Sequence, residues 1–245
     1  MSWYGYSPGS FRKWVSGSVT NMLIAANVAV YLLDFLSGGR LAVLGVKLGP
    51  YIWSGEYYRL LTPVFLHAGI FHLLFNSYAL YYLGVPLETM LGRGRFLMLY
   101  LLGGMTGNAL SLRFAPLTPS LGASSAIFGL LGFYLFLSLV VPRPGLRQGV
   151  ITIVVVNLLW GFLPGSRVDN FAHLGGLIGG LLAGPLLGVP PGYRFTPYGY
   201  GYAQPRRFFL FERYPVVWRV LPWVSGTLLV LLWLWAVRPP VLRFY

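Results

Sequence analysis

The sequence contains no cysteine among its 245 residues. Disulfide bonds, thiol nucleophiles and thiolate metal sites are therefore excluded from this chain. Charge is also scarce, because only 9% of the residues are Asp, Glu, Lys or Arg, whereas soluble domains carry about 25%. Hydrophobic residues make up 56% of the chain. This composition is typical of a protein that lies in a lipid bilayer.

Seven segments of the chain lack charged residues altogether, and each is at least 17 residues long. They cover residues 14–33, 60–87, 96–112, 114–142, 148–166, 170–193 and 220–237. A helix that spans the bilayer needs about 17–25 residues. The pattern therefore predicts an all-α polytopic membrane protein with seven transmembrane helices.

The connections between these helices differ in composition. Residues 38–68 contain Trp53 and a tyrosine pair, which favour the membrane interface. Residues 190–219 mix Gly, Tyr and Pro with several Arg, a composition that argues against helix and suits an anionic lipid surface. We therefore expect an N-terminal tail at 1–13, a six-helix core at 14–189, a basic linker at 190–219, a seventh helix at 220–237 and a C-terminal tail at 238–245.

The net charge of the chain is +13. In a soluble protein this excess would indicate nucleic acid, but here the arginines lie between apolar helices, where membrane orientation and lipid headgroups account for them. We therefore expect the lipid bilayer, and no nucleic acid, as a partner. A cytoplasmic N-terminus would place eleven Lys and Arg residues inside and seven outside, as the positive-inside rule favours. The chain is predicted to be a multi-pass protein of the cell membrane.

The chain has only three histidines, His67, His72 and His173, and all lie in or beside the apolar runs. An ionisable residue at membrane depth is costly and by default indicates function. Each histidine could instead only hold two helices together through a hydrogen bond. The spacing favours function, because His72 and Asn76 are four residues apart and share one helix face.

Glycines follow His173 at a spacing that permits close contact between membrane helices. Gly176 and Gly180 are four residues apart, and small residues at this spacing let two helix backbones approach each other. The expected partner is the helix near Ser124, which carries glycines of its own. Two small-residue faces in contact would bring the two segments together inside the bilayer.

The string GASSAIFG places two hydroxyls, Ser124 and Ser125, at the start of an apolar run. A serine in such a helix often only bonds the carbonyl one turn earlier. A zinc protease would need a His-Glu-x-x-His helix, and an aspartyl protease two carboxylates in one site. The five acidic residues fit neither pattern. What remains is Ser124 with His173 as a base, and His72 with Asn76 as hydrogen-bond donors.

Three motifs together resemble the rhomboid family of intramembrane serine proteases. They are HAGIFHLLFN at 67–76, GASS at 122–125 and AHLGG at 172–176. Each motif alone is weak, but all three occur in order on the predicted second, fourth and sixth helices. The resemblance covers roughly residues 14–189. It implies a six-helix rhomboid-like bundle, to which the C-terminal seventh transmembrane helix is added.

The resemblance also implies roles for individual residues. Ser124 would be the nucleophile and His173 the general base and acid, without a third acidic residue. The oxyanion site would consist of the His72 and Asn76 side chains and the Ser124 backbone N–H. Supporting residues are expected at His67, Phe128, Gly122, Gly176 and Gly180, and a lateral gate at Phe75 and Trp160. No metal or other cofactor is expected.

Three positions depart from the family pattern. Ser125 follows the nucleophile where glycine is usual, Phe128 lacks the hydroxyl of the commoner tyrosine, and Tyr58 replaces the tryptophan of a Trp-Arg pair. None of these changes removes a group that takes part in the chemistry. Asp169, one turn before His173, is expected to be a helix N-cap rather than an orienting group for the imidazole.

The implied function is peptide-bond hydrolysis in or near the transmembrane helix of another membrane protein. A helix hides its carbonyl groups, so substrates with Gly or Pro near the cut site are expected. Two alternatives stay open. One is a catalytically inactive rhomboid-like protein that binds client transmembrane segments. The other is a transporter or channel, which would show paired intramembrane charges or inverted repeats, and neither is visible.

Overall fold

The computed structural model describes residues 17–140, 145–166, 168–188, 193–196, 199–202 and 215–239. The predicted N-terminal tail lies outside these ranges, as do much of the basic linker and most of the C-terminal tail. The described chain is almost entirely helical. Its sheet is a two-stranded antiparallel hairpin of β1 (Tyr193–Thr196) and β2 (Gly199–Tyr202). The predicted all-α polytopic bundle is confirmed.

The described residues form seven long helices and two short ones. They are α1 (Val19–Leu36), α2 (Arg40–Gly45), α3 (Gly49–Trp53), α4 (Ile70–Leu91), α5 (Arg93–Phe114), α6 (Ser124–Val140), α7 (Leu146–Gly161), α8 (Asn170–Leu187) and α9 (Pro215–Val237). Two 3₁₀ turns, Tyr57–Leu60 and Thr62–Phe65, precede α4. Each of the seven predicted runs overlaps one long helix.

The helix ends differ from the predicted runs for physical reasons. The predicted runs end at charged residues, but a long basic side chain at a helix end can extend to the membrane surface. Accordingly, α5 begins at Arg93 and α9 includes Arg219. Helix α9 starts at Pro215, because proline is tolerated in the first turn. The last residues of the predicted linker, 215–219, are therefore helical.

Several helices are suited to cross a membrane. Four of them are long and apolar enough, namely α1, α4, α8 and the 219–237 part of α9. Helices α6 and α7 are apolar but shorter, with 17 and 16 residues. Helix α5 has 22 residues and carries its arginines near its two ends. The chain is a multi-pass integral membrane protein.

In the connection between α1 and α4, the buried Arg59 joins several backbone segments. The Arg59 guanidinium donates to the carbonyls of Val43 at 2.9 Å and Val46 at 3.0 Å. It also pairs with Glu56 at 2.8 Å. Hydrogen bonds from the Tyr58 hydroxyl and the Arg59 guanidinium lower the pKa of the Glu56 carboxyl. Hydrogen bonds and an ion pair therefore hold this predicted interfacial segment in a compact fold.

Helix α6 lies at the centre of the bundle, with 13 of its 17 residues buried. Its neighbours approach it through glycine. Gly103 of α5 meets the backbone of Gly129, and Gly180 of α8 lies against the Gly129 carbonyl. A methyl group on Gly180 would overlap that carbonyl oxygen. The close contact expected between the helices of Ser124 and His173 is therefore formed.

Helix α9 packs against α5 and α8. The Trp233 indole N–H donates to the Thr106 hydroxyl at 3.1 Å. The Trp235 ring meets Phe114 with 5.7 Å between centroids, and the Arg113 guanidinium lies 5.0 Å from the Trp235 ring centre. The seventh helix is thus joined to the bundle by both polar and aromatic contacts.

Candidate active site

Ser124 is the first residue of α6, as its position after a proline-containing connection predicts. The helix opens with a hydrogen bond from the Ile127 N–H to the Ala123 carbonyl. The first N–H groups of a helix have no acceptor within the helix, and the positive end of its dipole lies there. The half-buried Ser124 hydroxyl therefore sits at the electropositive end of a buried helix.

Gly122 shapes the turn that leads into Ser124. Its φ of 135° lies in the region that favours glycine, and its N–H donates to the Pro63 carbonyl at 2.9 Å. A Cβ at this position would lie 2.7 Å from His72 Cε1 and 2.8 Å from His72 Nε2. It would also lie 3.6 Å from Ser124 Oγ. The His72 ring and the Ser124 hydroxyl therefore flank one point where a side chain does not fit.

His72 presents its Nε2 edge to Gly122. The Ala68 N–H donates to His72 Nδ1 at 3.4 Å, so the neutral ring carries its proton on Nε2. One turn later, the buried Asn76 donates from Nδ2 to the His72 carbonyl at 2.8 Å. An amide nitrogen has two hydrogens, so Asn76 keeps one for another acceptor. Both side chains can donate from one face of α4.

His173 is buried near the start of α8 and stacks on Phe128 of α6. The two ring centroids are 4.1 Å apart and the planes differ by 11°. Phe128 follows Ser124 by one helical turn, so the stack lies on the face of α6 that carries Ser124. Gly176 adds a second link, because its backbone lies against the Ser125 carbonyl. These contacts bring the start of α8 to the start of α6.

The remaining predicted site residues fall into two groups. His67 is buried, and its ring meets the His72 ring edge-on with 5.2 Å between centroids. Phe75 and Trp160 lie apart from this cluster, with 72% and 63% of their surfaces exposed on α4 and α7. The predicted polar site residues therefore lie close to one another. The two gate candidates, Phe75 and Trp160, lie on the outer surface of the bundle.

Ser125 occupies a different environment from its neighbour. Only 2% of its surface is exposed, and its Cβ lies beside Gly107 of α5. Its own carbonyl lies against Gly176 of α8. Ser125 therefore fills the contact between three helices. A glycine at this position would leave that space empty.

Asp169 is the N-cap of α8, as predicted, and accepts the Ala172 N–H at 2.9 Å. It also contacts two residues that the sequence patterns do not single out. The Ser111 hydroxyl donates to the Asp169 carboxylate, and Lys47 Nζ lies 3.9 Å from it. A lysine in a connection has the sequence pattern of a solvent-exposed charge. No linear signal distinguishes it from a buried one.

Comparison with known proteins identifies the family. The family model of the Rhomboid domain matches residues 54–190. The chain belongs to the rhomboid family. It is 44% identical over 179 residues to Rhomboid protease GluP of Bacillus subtilis (strain 168), an alignment that covers 70% of this chain and 35% of GluP. It is 41% identical over 148 residues to Putative rhomboid protease YdcA of the same strain, covering 58% of this chain and 72% of YdcA.

Rhomboid relatives also include a protein named as inactive. Inactive RHOMBOID-like protein 8 of Arabidopsis thaliana is 36% identical over 130 residues, covering 50% of this chain and 36% of the relative. This rhomboid thus spans only part of several relatives, about a third of GluP among them. The matched domain contains all three motifs and ends before α9. The chain therefore belongs to a family that includes proteins named as proteases and a protein named as inactive.

Proposed function

We propose that this rhomboid is an intramembrane serine endopeptidase, with Ser124 as the nucleophile and His173 as the general base and acid. The observation that carries the proposal is the convergence at Gly122, where the His72 ring and the Ser124 hydroxyl flank one point. The stack of His173 on Phe128 supports it from the neighbouring helix. A hydroxyl, a base and a hydrogen-bond donor are the parts that acyl transfer requires.

A serine hydroxyl is a weak nucleophile until a base accepts its proton. His173 takes the proton as Ser124 Oγ attacks the scissile carbonyl carbon, and donates it to the amine nitrogen as the C–N bond breaks. Water then hydrolyses the acyl-enzyme with the same imidazole as base. Each such transfer contributes about 10²–10⁴-fold to the rate. His173 Nδ1 is enclosed without a hydrogen-bond partner among the described residues, which leaves Nε2 for the transfers.

The carbonyl oxygen becomes negatively charged when Ser124 attacks. Three donors are available to it: the Nε2–H of His72, the second amide hydrogen of Asn76 and the backbone N–H of Ser124. The positive end of the α6 dipole adds to their effect. In a site shielded from bulk water such preorganised donors are worth more than they would be in solution. His72, in this scheme, stays neutral and keeps its proton on Nε2.

The substrate is proposed to be a transmembrane protein that is cut in or near its membrane helix. An intact helix keeps its carbonyls in hydrogen bonds, so the cut segment must unwind before Ser124 can attack. Residues with low helix propensity, such as Gly and Pro, reduce the cost of unwinding. Such a segment would enter laterally, past Phe75 on α4 and Trp160 on α7.

The orientation of the bundle is part of the proposal. A cytoplasmic N-terminus, favoured by the distribution of Lys and Arg, would have α1, α5 and α7 run outward and α4, α6 and α8 run inward. The first turns of α6 and α8 would then both lie near the outer face of the cell membrane. Water could reach Ser124 and His173 from that side.

The alternative is a catalytically inactive rhomboid that binds client transmembrane segments. The relative named as inactive shows that such sequences exist at this level of identity. Against this alternative, both Ser124 and His173 are present, and Ser125 in place of the usual glycine packs between helices without entering the site.

A fluorophosphonate probe, which reacts with activated serines, tests the proposal on the full chain in detergent or in liposomes. The wild type should be labelled, and Ser124→Ala and His173→Ala should abolish labelling while the protein stays folded. Ser125→Ala is the matched control, since it removes the adjacent hydroxyl, and it should retain labelling. Labelling that persists in Ser124→Ala would overturn the assignment. A folded wild type that is never labelled would favour the inactive alternative.

A further inference from the structure

Lys47 lies between α2 and α3, and none of its side-chain surface is exposed. A buried ammonium group is costly unless oxygen atoms surround it. Lys47 Nζ donates to the carbonyls of Ala115 and Thr118, each at 2.8 Å. It lies 3.9 Å from the Asp169 carboxylate. Lys47 is thus a charge that is buried among three acceptors from two different segments.

The first of these segments leads to Ser124. The backbone of Lys47 pairs with Ser120, with its N–H donating to the Ser120 carbonyl at 3.0 Å and the return bond measuring 3.2 Å. Nearby, the Gly49 N–H donates to the Pro116 carbonyl at 2.7 Å. Ser120 precedes Ser124 by four residues. Lys47 therefore holds the connection that ends at the proposed nucleophile through both its backbone and its side chain.

The second segment leads to His173. Asp169 receives the Ser111 hydroxyl and the Ala172 N–H, and its carbonyl accepts the His173 N–H at 3.1 Å. The Lys47 ammonium therefore attracts the residue that caps the helix of the proposed base. The Lys47 side chain therefore contacts both the connection that leads to Ser124, at Ala115 and Thr118, and the residue four positions before His173.

We infer that Lys47 is a positioning residue, which holds the Ser124 connection and the His173 helix at a fixed distance from each other. The inference rests on the proposed function, because it assigns Lys47 a role in that site. Lys47 is not itself a catalytic residue in this assignment. Its ammonium acts through the Ala115 and Thr118 carbonyls and the Asp169 carboxylate, so its loss should misplace the nucleophile relative to its base more than it unfolds the bundle.

Glu88 provides a matched control, because it is also a buried charge that holds a helix start. Its carboxylate accepts the Val19 N–H at 2.6 Å, the Ser18 hydroxyl at 2.7 Å and the Thr20 N–H at 2.9 Å. These contacts lie at the start of α1 and involve neither the Ser124 connection nor α8. A general loss of stability should follow from changing either charge. An effect on the site should follow only from changing Lys47.

The experiment compares Lys47→Met and Glu88→Gln in the full-length chain. Lys47→Met keeps most of the side-chain volume and removes the charge. We expect its second-order rate of fluorophosphonate labelling to fall on the order of 10²-fold, since small misplacements of reacting groups have such effects. Glu88→Gln should label at the wild-type rate even where its thermal midpoint falls. Wild-type labelling by Lys47→Met would overturn the inference.

The pH dependence of labelling is a second readout, which a purely structural role would not change. Burial lowers the pKa of Lys47 to about 8, and Asp169 opposes this shift. Among the described residues, the charged group in contact with the Lys47 ammonium is Asp169 at the start of α8, and Arg59 donates to the carbonyl of Val46, the residue before Lys47. Above about pH 8 the Lys47 ammonium of the wild type should lose its proton and its charge, and the wild type should then react more slowly with the fluorophosphonate. Lys47→Met should lack this loss, and Glu88→Gln should keep it.

Amide hydrogen exchange separates this inference from the protease proposal. Lys47→Met should accelerate exchange in segments 117–124 and 168–174, whereas Glu88→Gln should accelerate it near the start of α1. If the wild type is folded but never labelled, the protease proposal fails, and the exchange result still decides the role of Lys47. Unchanged exchange in both segments of Lys47→Met would contradict the positioning role of Lys47.

Discussion

Asn76 offers a test of the proposed oxyanion site in which catalysis and folding can be separated. Its amide donates to the His72 carbonyl one turn earlier in the same helix, so the hydrogen bond lost in Asn76→Ala is worth only about 1 kcal/mol. The loss of a donor to the transition state is larger, about 10²–10³-fold in kcat. We therefore expect Asn76→Ala to fold and to turn over a cleavable substrate slowly, with KM little changed.

Asn157 on α7 is the matched control for this substitution. It makes the same contact, since its amide donates to the Ile153 carbonyl at 2.8 Å, but on an exposed helix face. Asn157→Ala should keep the wild-type kcat. If both variants lost the same activity, or if Asn76→Ala kept all of it, Asn76 would not be an oxyanion donor.

Gly122 combines two requirements that a methyl group would violate. Alanine is strained at a φ of 135°, and its Cβ would press on the His72 ring. We expect Gly122→Ala to lower the rate of fluorophosphonate labelling on the order of 10²-fold, because the ring and the hydroxyl must move apart. Gly92→Ala tests the strain alone, since Gly92 has a φ of 79° and no neighbour within 4 Å of a Cβ. Equal labelling losses in the two variants would show that the His72 contact is irrelevant.

The crossing of α6 and α8 depends on glycine in both helices. A Cβ on Gly180 would overlap the Gly129 carbonyl, so Gly180→Ala must separate the helices at a cost of about 1–3 kcal/mol. Gly149 on α7 has open space around it and is exposed, so Gly149→Ala should leave stability unchanged or raise it slightly. Thermal unfolding in one detergent measures both variants. A Gly180→Ala midpoint equal to that of Gly149→Ala would contradict this account of the crossing.

The second half of α4 and the first half of α7 leave space between them, in a cavity that neither Phe75 nor Trp160 lines. This cavity of about 530 Å³ is lined by Tyr82 and Pro86 of α4, Tyr134 of α6, and Leu146 of α7 with their neighbours. We expect Trp160→Ala, which removes a large side chain from α7, to raise the turnover of a transmembrane substrate without raising the rate of fluorophosphonate labelling.

The control for this gate is a lipid-facing residue on a helix outside it. Leu231 on α9 has 56% of its surface exposed, close to the 63% of Trp160. Leu231→Ala should leave turnover unchanged. Unchanged or slower turnover by a folded Trp160→Ala would count against entry past α7.

Much of the bundle is predictable from the sequence because charged residues are so rare. Apolar runs bounded by charges predict seven helices, and the few polar residues inside them indicate His72, Asn76, Ser124 and His173 as candidate site residues. The glycine spacing after His173 indicated the contact with α6. These signals are local and periodic. They can be read from the sequence without any knowledge of the tertiary structure.

Other features depend on contacts between distant segments and could not be predicted. The two short helices between α1 and α4 both contact Arg59, whose guanidinium donates to carbonyls 13 and 16 residues away at α2 and lies over the Tyr51 ring of α3. Lys47 meets acceptors 68 and 71 residues away, and no pattern in the chain reports its burial. The charge of Arg219 predicts a helix that starts after it, whereas α9 starts at Pro215. Only the family resemblance indicates a supporting role for Phe128, and no local pattern in the chain predicts its stack on His173.

The whole molecule is proposed to cut a peptide bond within a membrane, and a reconstituted cleavage assay tests this most directly. Two substrates would be inserted in liposomes with the protein, one with Gly-Pro near the outer end of its single helix and one with Leu-Ala there. We expect cleavage of the first alone, at a site in or near the helix by mass spectrometry, and none with Ser124→Ala or His173→Ala. Cleavage that persists in Ser124→Ala would contradict the account. So would a wild type that is labelled and cuts soluble unfolded chains but cuts neither inserted helix.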